Sequence, residues 1–138
     1  MNDEISNVLE ALVDMENGIE GIEVAYSYSP ESIVVMPAIV NYPLRGTDTR
    51  EEASTIRSLY VFGAELHVCR GILRSAEELV RPFPIRFSNA LWADPTIGGT
   101  VDTVLYLRHA FTPIKYAGEW HMGVRFEFGV KMRRACAI

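Results

Sequence analysis

The sequence predicts a single α+β domain, residues 1–138, with an N-terminal helix and a central helix packed on one face of a mainly antiparallel sheet of four to five strands. Helical spacing of apolar residues near the start, a capping pattern in the middle and strict alternation near the end support this fold. Consecutive strands favour antiparallel pairing, and a half-buried sheet needs helices to cover it. A chain of 138 residues is long enough to bury one core.

Residues 3–16 predict an amphipathic helix, because five apolar residues recur at helical spacing. They are Ile5, Val8, Leu9, Leu12 and Met15. We expect Asp3 to cap the first turn and Asn17-Gly18 to end the helix in a left-handed conformation. Asp14 and Glu16 fall in the last turn, where the helix dipole favours cations. A solvated acidic face and a basic partner surface both explain that mismatch.

The next segments predict two strands and a polar connection. Residues 22–28 suit a strand, and a turn follows them. Residues 33–40 are an apolar run interrupted by Pro37, so this strand is expected to be bulged or to lie at an edge. The polar residues 45–54 are expected to form a mobile hairpin loop, or else an arm that reaches a neighbour.

The middle of the chain predicts a half-buried strand and then a helical region. Residues 60–68 alternate in the way that such a strand does. The Ser75–Glu78 segment has the capping-box spacing, which predicts a helix beginning at about Ala76. Pro82 and Pro84 each remove a backbone donor, so one kinked helix and two short helices fit equally well.

The end of the chain carries the clearest strand pattern, with one apolar side and one mostly polar side. The apolar positions are Trp120, Met122, Val124, Phe126, Phe128, Val130 and Met132. Such a long strand is expected to contain a bulge at Gly123 or Gly129. Residues 100–111 are its expected hairpin partner, connected through a turn at residues 116–118.

The charges are distributed unevenly along the chain. The net charge is −5, yet residues 1–44 hold eight acids and neither lysine nor arginine, while arginine supplies 11 of the 13 basic residues. Patches of opposite sign suit head-to-tail contacts between identical copies, although they could equally neutralise each other inside one fold. The interface candidates are Glu10, Asp14, Glu16, Arg125, Lys131, Arg133 and Arg134.

Several classes of protein are excluded or disfavoured by composition. No apolar run approaches the roughly 20 residues that cross a bilayer, and the acidic start is unlike a signal peptide. An acidic total disfavours a nucleic-acid binder. Cys69 and Cys136 stand 67 residues apart without a metal-binding spacing, which favours two reduced thiols in a cytosolic setting.

The sequence contains no recognisable catalytic motif: it lacks a nucleophile elbow, a phosphate-binding glycine loop and a zinc-protease helix. We therefore predict no catalytic residue, no cofactor and no metal, in a protein that is not an enzyme. His67 and His121 occupy polar-side positions and are expected to face solvent, meeting if their strands lie together. His109 is expected at the boundary of the core. The alternative is a ligand-binding or enzymatic domain with a pocket near His67, His121 and Trp120.

In this order of elements the chain resembles the small neck proteins of tailed bacteriophages, the tail-terminator and head–tail joining group. The features that carry the resemblance are the opening helix ending at Gly18, the strand entered from Gly21-Ile22, the turn at residues 28–33 leading to Pro37-Ala38, and the closing run from residues 116–120 into the alternating strand.

The resemblance implies a structural virion protein, made in the host cytoplasm, that forms a ring of typically six copies. Such a ring stops the tail tube from growing and presents a surface to the head connector, so its partners are its own copies, the tube protein and the connector protein. Loops 45–54 and 94–100 would meet tube and connector above and below the ring. The corresponding contact candidates are Arg45, Asp48, Arg50, Asp94 and Thr96. A tail-tube or tail-completion subunit is a further alternative on similar layouts.

Overall fold

The computed structural model describes residues 3–71 and 74–135, which form three helices and five strands. In chain order these are α1 (Glu4–Glu16), β1 (Val24–Tyr26), β2 (Ala38–Glu52), β3 (Thr55–Arg70), α2 (Arg74–Val80), α3 (Phe83–Ala93), β4 (Thr103–Tyr116) and β5 (Glu119–Ala135). The strands form one sheet in the order β1-β2-β3-β5-β4. The β1–β2 pair is parallel and every other pair is antiparallel. The predicted α+β class is therefore confirmed.

One face of the sheet, the helical face, packs against the helices and holds the main core. Phe87 of α3 stacks on Phe126 of β5 with ring centroids 4.1 Å apart, and Phe62 stacks on Phe128 at 5.9 Å. Burial of each such ring contributes about 2–3 kcal/mol of transfer free energy. The predicted apolar side of β5 is buried from Met122 to Met132, whereas Trp120 stays half-exposed.

Helix α1 begins as predicted and ends differently. The Asp3 carboxylate accepts a hydrogen bond from the Ser6 N–H at 2.7 Å, which is the expected N-cap. The predicted left-handed stop at Asn17-Gly18 is wrong, because Asn17 is helical and Gly18 N–H bonds back to the Met15 carbonyl. The left-handed residue is Gly21, with φ of 91°.

The polar residues 45–54 form strand rather than loop. Strand β2 continues to Glu52 and pairs with β3 along its length, with the turn at residues 53–54. Backbone pairing does not require apolar side chains. Strand β5 extends alongside β3, so these ends of β2, β3 and β5 form a three-stranded structure that we call the arm. At the other end, β1 is only three residues long and β2 begins just after Pro37, so residues 33–37 are not strand.

Two short helices, rather than one kinked helix, occupy the central region. Helix α2 ends at Val80 and α3 begins at Phe83, which leaves Pro82 just before the new helix. Pro84 lies in the first turn of α3, where no backbone donor is needed. Ser75 lies inside α2 instead of capping it, because α2 already begins at Arg74.

Strand β5 is continuous, and the predicted bulge at Gly123 or Gly129 is wrong. The register shifts fall in the neighbouring strands, at residues 67–69 of β3 and 104–106 of β4. Instead, each glycine lets a group of a neighbouring strand approach the β5 backbone more closely than a side chain would allow. A Cβ at Gly123 would lie 2.2 Å from the Leu66 carbonyl oxygen. The β4–β5 turn lies at Ala117 and Gly118, both left-handed, as a two-residue hairpin turn requires.

A buried carboxyl group connects α1 to the sheet. Glu16 is fully buried, and the Asn41 side-chain amide donates to Glu16 Oε1 at 2.5 Å and to the Tyr26 carbonyl at 3.0 Å. Burial raises the pKa of Glu16 to about 8, against the opposing effect of Asn41. The expectation that Glu16 belongs to a solvated acidic face is therefore wrong.

We expect Glu16→Gln to stabilise the protein at neutral and higher pH. Because the folded-state pKa is raised above the ordinary value of 4.5, the wild-type free energy of unfolding should fall as pH rises from 4.5 to 8. The slope approaches about 1.4 kcal/mol per pH unit. Urea unfolding across that range measures it. Glu10→Gln, at an exposed position of the same helix, is the control, and equal slopes in wild type and Glu16→Gln would contradict the prediction.

Candidate interaction surface

The second face of the sheet, the open face, is covered by residues 28–37 at one end and by no helix at the other. At the covered end, Ile33 packs on Ala38 and Val40 of β2. The uncovered part carries charged side chains and two tyrosines from β2, β3, β4 and β5. An antiparallel sheet commonly leaves one face to solvent, so the composition of this face is what distinguishes it.

Two tyrosine rings lie flat across glycines on the open face. Tyr42 lies over Gly63 and Tyr106 lies over Gly129; a Cβ on either glycine would come within 2.5 Å of the ring. The glycines therefore create the space that each ring fills. The Tyr106 hydroxyl then donates to Glu127 at 3.1 Å, and the Tyr42 hydroxyl makes a longer 3.4 Å contact with Glu65.

Three arginines lie above these carboxylates, and we call this group the arginine face: Arg45, Arg108 and Arg125 over Glu65 and Glu127. Arg108 Nε lies 3.1 Å from Glu127, Arg125 Nε 3.3 Å from Glu65, and Arg45 Nη2 3.8 Å from Glu127. The three arginine side chains are 54–71% exposed, whereas the two glutamates are only 17% and 26% exposed. The outermost layer of this surface is therefore cationic.

The surroundings of this surface shift the pKa values of Glu65, Tyr42 and Tyr106. His67 and Arg125 beside Glu65 hold the pKa of that carboxyl below its usual range. Burial, with Glu65 nearby, raises the pKa of Tyr42 to about 12, so its hydroxyl stays protonated and able to donate. Burial and Glu127 also raise the pKa of Tyr106. His67 and Arg125 therefore favour the ionised form of Glu65, while the two tyrosine hydroxyls stay protonated and able to donate.

The β1 side of the molecule presents a different surface, which we call the acidic groove. It lies between α1 and β1, has a volume of about 540 Å³, and includes Glu10, Asp14, Tyr26 and Tyr28 in its lining. Tyr28 is exposed, as are the apolar Val34 and Val35 of the adjoining segment.

The β4 side carries the larger set of exposed apolar side chains. Leu105 and Phe111 of β4 are about half-exposed, and Ile85 of α3 is more exposed still. A groove of about 400 Å³ separates α3 from β4 and is lined in part by Ile85, Leu107 and Phe111. The sequence of β4 contains Arg108, His109 and Lys115 and no acid.

The predicted interface residues do not form two simple patches. Glu10 and Asp14 are exposed on α1, and Arg125 belongs to the arginine face. Arg133 and Arg134 lie at the far end of β5 and pair with acids of the arm, since Arg133 Nε is 3.1 Å from Glu51 and Arg134 Nη2 is 3.2 Å from Asp48. Lys131 lies between these groups on β5 and pairs with Leu59 and Thr103 in the sheet. The acids that neutralise the basic end therefore come from the arm rather than from the first 44 residues.

The predicted loop contacts gather at one end of the sheet. Arg45, Asp48 and Arg50 lie within β2, in the arm. Asp94 and Thr96 lie in the loop after α3, where Asp94 accepts hydrogen bonds from Thr96 and from the Gly98 N–H. That loop contacts the start of β4, which pairs with the arm end of β5. The two segments therefore lie near each other at the same end of the sheet.

The two histidines of the predicted pocket meet, but inside the protein. His67 Nδ1 and His121 Nδ1 are 3.0 Å apart and both side chains are buried, so their expected exposure to solvent is wrong. Residues 28–37 cover them, because the Tyr116 hydroxyl donates to the Pro30 carbonyl and Arg70 donates to the carbonyls of residues 33 and 34. Trp120 points to the opposite side of β5 by strand alternation. The three residues therefore do not line one pocket.

The remaining candidate residues are the two cysteines and His109. Within residues 3–71 and 74–135, no group of three His, Cys, Asp or Glu side chains is arranged to hold a metal. Cys69 is partly buried, and burial raises its thiol pKa. His109 lies in register with Phe126 on the helical side, at the exposed boundary of the core. Cys136 lies outside the described residues.

The tyrosine–glycine pairs are the part of this surface that sequence reasoning missed. Glycine at the polar-side positions 63 and 129 is the signal that could have found them, since an interior strand glycine often marks close approach.

No helix in the described part of the chain is both long and apolar enough to cross a membrane. No protein-family model matches the sequence, and a search of curated proteins finds no significant relative.

Burial of His121 should make stability fall in acid. Burial, together with His67, lowers the pKa of His121 below 6.5, so its stabilising contribution is complete above that pH and is lost as pH falls towards the folded-state pKa. We expect His121→Gln to reduce this acid dependence in urea unfolding, and His109→Gln, at an exposed site, to preserve it. An unchanged acid profile in His121→Gln would contradict the assignment.

Proposed function

We propose that this protein is a non-enzymatic virion protein that forms a ring of six copies at the neck of a tailed bacteriophage. There it would terminate the tail tube and join it to the head connector. The observation that carries the proposal is the placement of exposed apolar side chains at two separate edges of one sheet. Tyr28 lies on the β1 side, and Ile85, Leu105 and Phe111 lie on the β4 side.

Two unlike surfaces on opposite sides of one subunit are what a head-to-tail contact requires. A two-fold dimer buries the same patch on both copies, whereas a ring uses one patch on one copy and another patch on the next. Strands β1 and β4 form the two edges of the sheet, so each also has an unpaired backbone edge that can be covered by a neighbour.

The arm and the loop after α3 support axial contacts by the same ring. Both lie at one end of the sheet, where Asp48, Arg50 and Thr96 are exposed. A subunit with lateral surfaces at its edges and a protruding end suits a ring that meets tube or connector through that end. A tail-tube or tail-completion subunit would share the lateral surfaces, and its copies would stack into tubes instead of stopping at one ring.

We expect Phe111→Ser combined with Ile85→Ser to reduce ring formation strongly, because both changes remove apolar area from the β4 side. Native mass spectrometry of the purified protein measures the species. Leu79→Ser changes an exposed apolar residue of α2, away from the β4 edge, and should leave assembly intact. If the double variant assembles as well as the Leu79→Ser control does, the β4 edge no longer supports the proposal.

Electron microscopy of virions tests the location. We expect density for this chain as a single ring between the tail tube and the connector. Its absence from the neck would overturn the proposal, and continuous stacking along the tail would favour a tube subunit.

A further inference from the structure

We propose that the arginine face of one copy binds the acidic groove of a second copy, so that this contact sets the direction of the ring. This inference rests on the proposed ring. It names the partner of the open sheet face as the α1–β1 side of an identical chain.

The arginine face is built to present cations outward. Glu65 and Glu127 lie beneath Arg45, Arg108 and Arg125, and the tyrosine hydroxyls approach the same carboxylates from the sheet. Arg108 also lies over the Tyr106 ring, with its guanidinium carbon 5.0 Å from the ring centroid. The side chains are thus oriented before any partner arrives, which lowers the entropy cost of binding.

The acidic groove supplies the complementary charge. Glu10 and Asp14 are exposed on α1 along its wall, within a stretch of 44 residues that contains no lysine or arginine. Arg86 of α3 lies 3.7 Å from Glu20, which follows the C-terminal end of α1. Arg133 and Arg134 already pair with the arm acids Glu51 and Asp48.

The geometry favours a second copy over a self-contact. The acidic groove lies beside α1, which packs on the helical face, whereas the arginine face lies on the open face of the same sheet. One chain cannot bring the two opposite faces of its own sheet together. Head-to-tail neighbours bring them together at every contact.

A protein partner also fits better than a nucleic acid. The cations alternate with carboxylates 3.1–3.8 Å away, and the whole chain carries a net charge of −5, which repels a polyanion at long range. Arginine and tyrosine are the residues enriched at the energetic centres of protein interfaces.

Paired charge reversals test the contact. One variant carries Arg108→Glu and Arg125→Glu, and the other carries Glu10→Lys and Asp14→Lys. Each alone should lose rings by about tenfold or more, because like charges then face each other. An equimolar mixture should restore rings in which the two variants alternate, since each acidic groove then meets an arginine face and each lysine groove meets a glutamate face. Native mass spectrometry reads the composition directly.

Controls separate this contact from folding and from the ring itself. Arg74→Glu and Glu78→Lys change exposed residues of α2 and should assemble as wild type does. Restored rings in the mixture also prove that both variants fold. Rings from wild type and from both variants alike would overturn this contact and leave the ring standing. Defective variants whose mixture stays defective, although each keeps wild-type thermal unfolding, would also overturn it.

Two further outcomes would overturn the contact in different ways. If wild type binds a single-stranded DNA oligonucleotide in fluorescence anisotropy, and the arginine variant loses that binding while its rings persist, a nucleic acid replaces the second copy as the partner. If wild type forms no ring and is absent from the virion neck, the proposed function fails together with this contact.

Discussion

The antiparallel pairing of β3 with β5 determines both faces of this protein. Its register runs from Thr55 opposite Ala135 to Arg70 opposite His121. On the helical face it places Phe62 against Phe128, and it sets the small Ala64 beside Phe126, on which Phe87 stacks. On the open face it sets Glu65 beside Arg125. A slip of one residue would send every one of these side chains to the opposite face, so core and charged surface depend on the same register.

The parts of this fold that could be predicted are those whose signal is local. The alternation in β5 and the apolar stripe of α1 arise from the geometry of one strand and one helix, so both elements and their buried sides follow from the sequence. The arm could not be predicted in this way. Its polar strand is held by pairing with β3 and by Arg133 and Arg134, which lie more than 80 positions away from Glu51 and Asp48 along the chain.

Burial of polar groups was the second thing that sequence patterns did not reveal. Glu16 follows Val8 and Leu12 on the buried side of α1, where its charge predicted contact with solvent, yet Asn41 of β2 receives it inside the protein. The meeting of His67 and His121 follows from their strand positions, whereas their burial depends on the irregular segment 28–37 that covers them. Such covering segments carry no periodic signal. The same limit applies to Tyr42 and Tyr106, whose positions over glycine depend on register.

The acidic and basic residues that are unevenly distributed along the chain are arranged in two different ways in the folded protein. The basic end of β5 is neutralised within the arm, while the acids of α1 and the arginines of the open face stay on opposite sides of the sheet. Exposed ion pairs contribute only about 0–1 kcal/mol each, so charge alone would not hold copies together. The apolar residues on the β1 and β4 sides supply the area that favours association. The charges then decide which side meets which, because contacts of like sign are penalised and contacts of opposite sign are not.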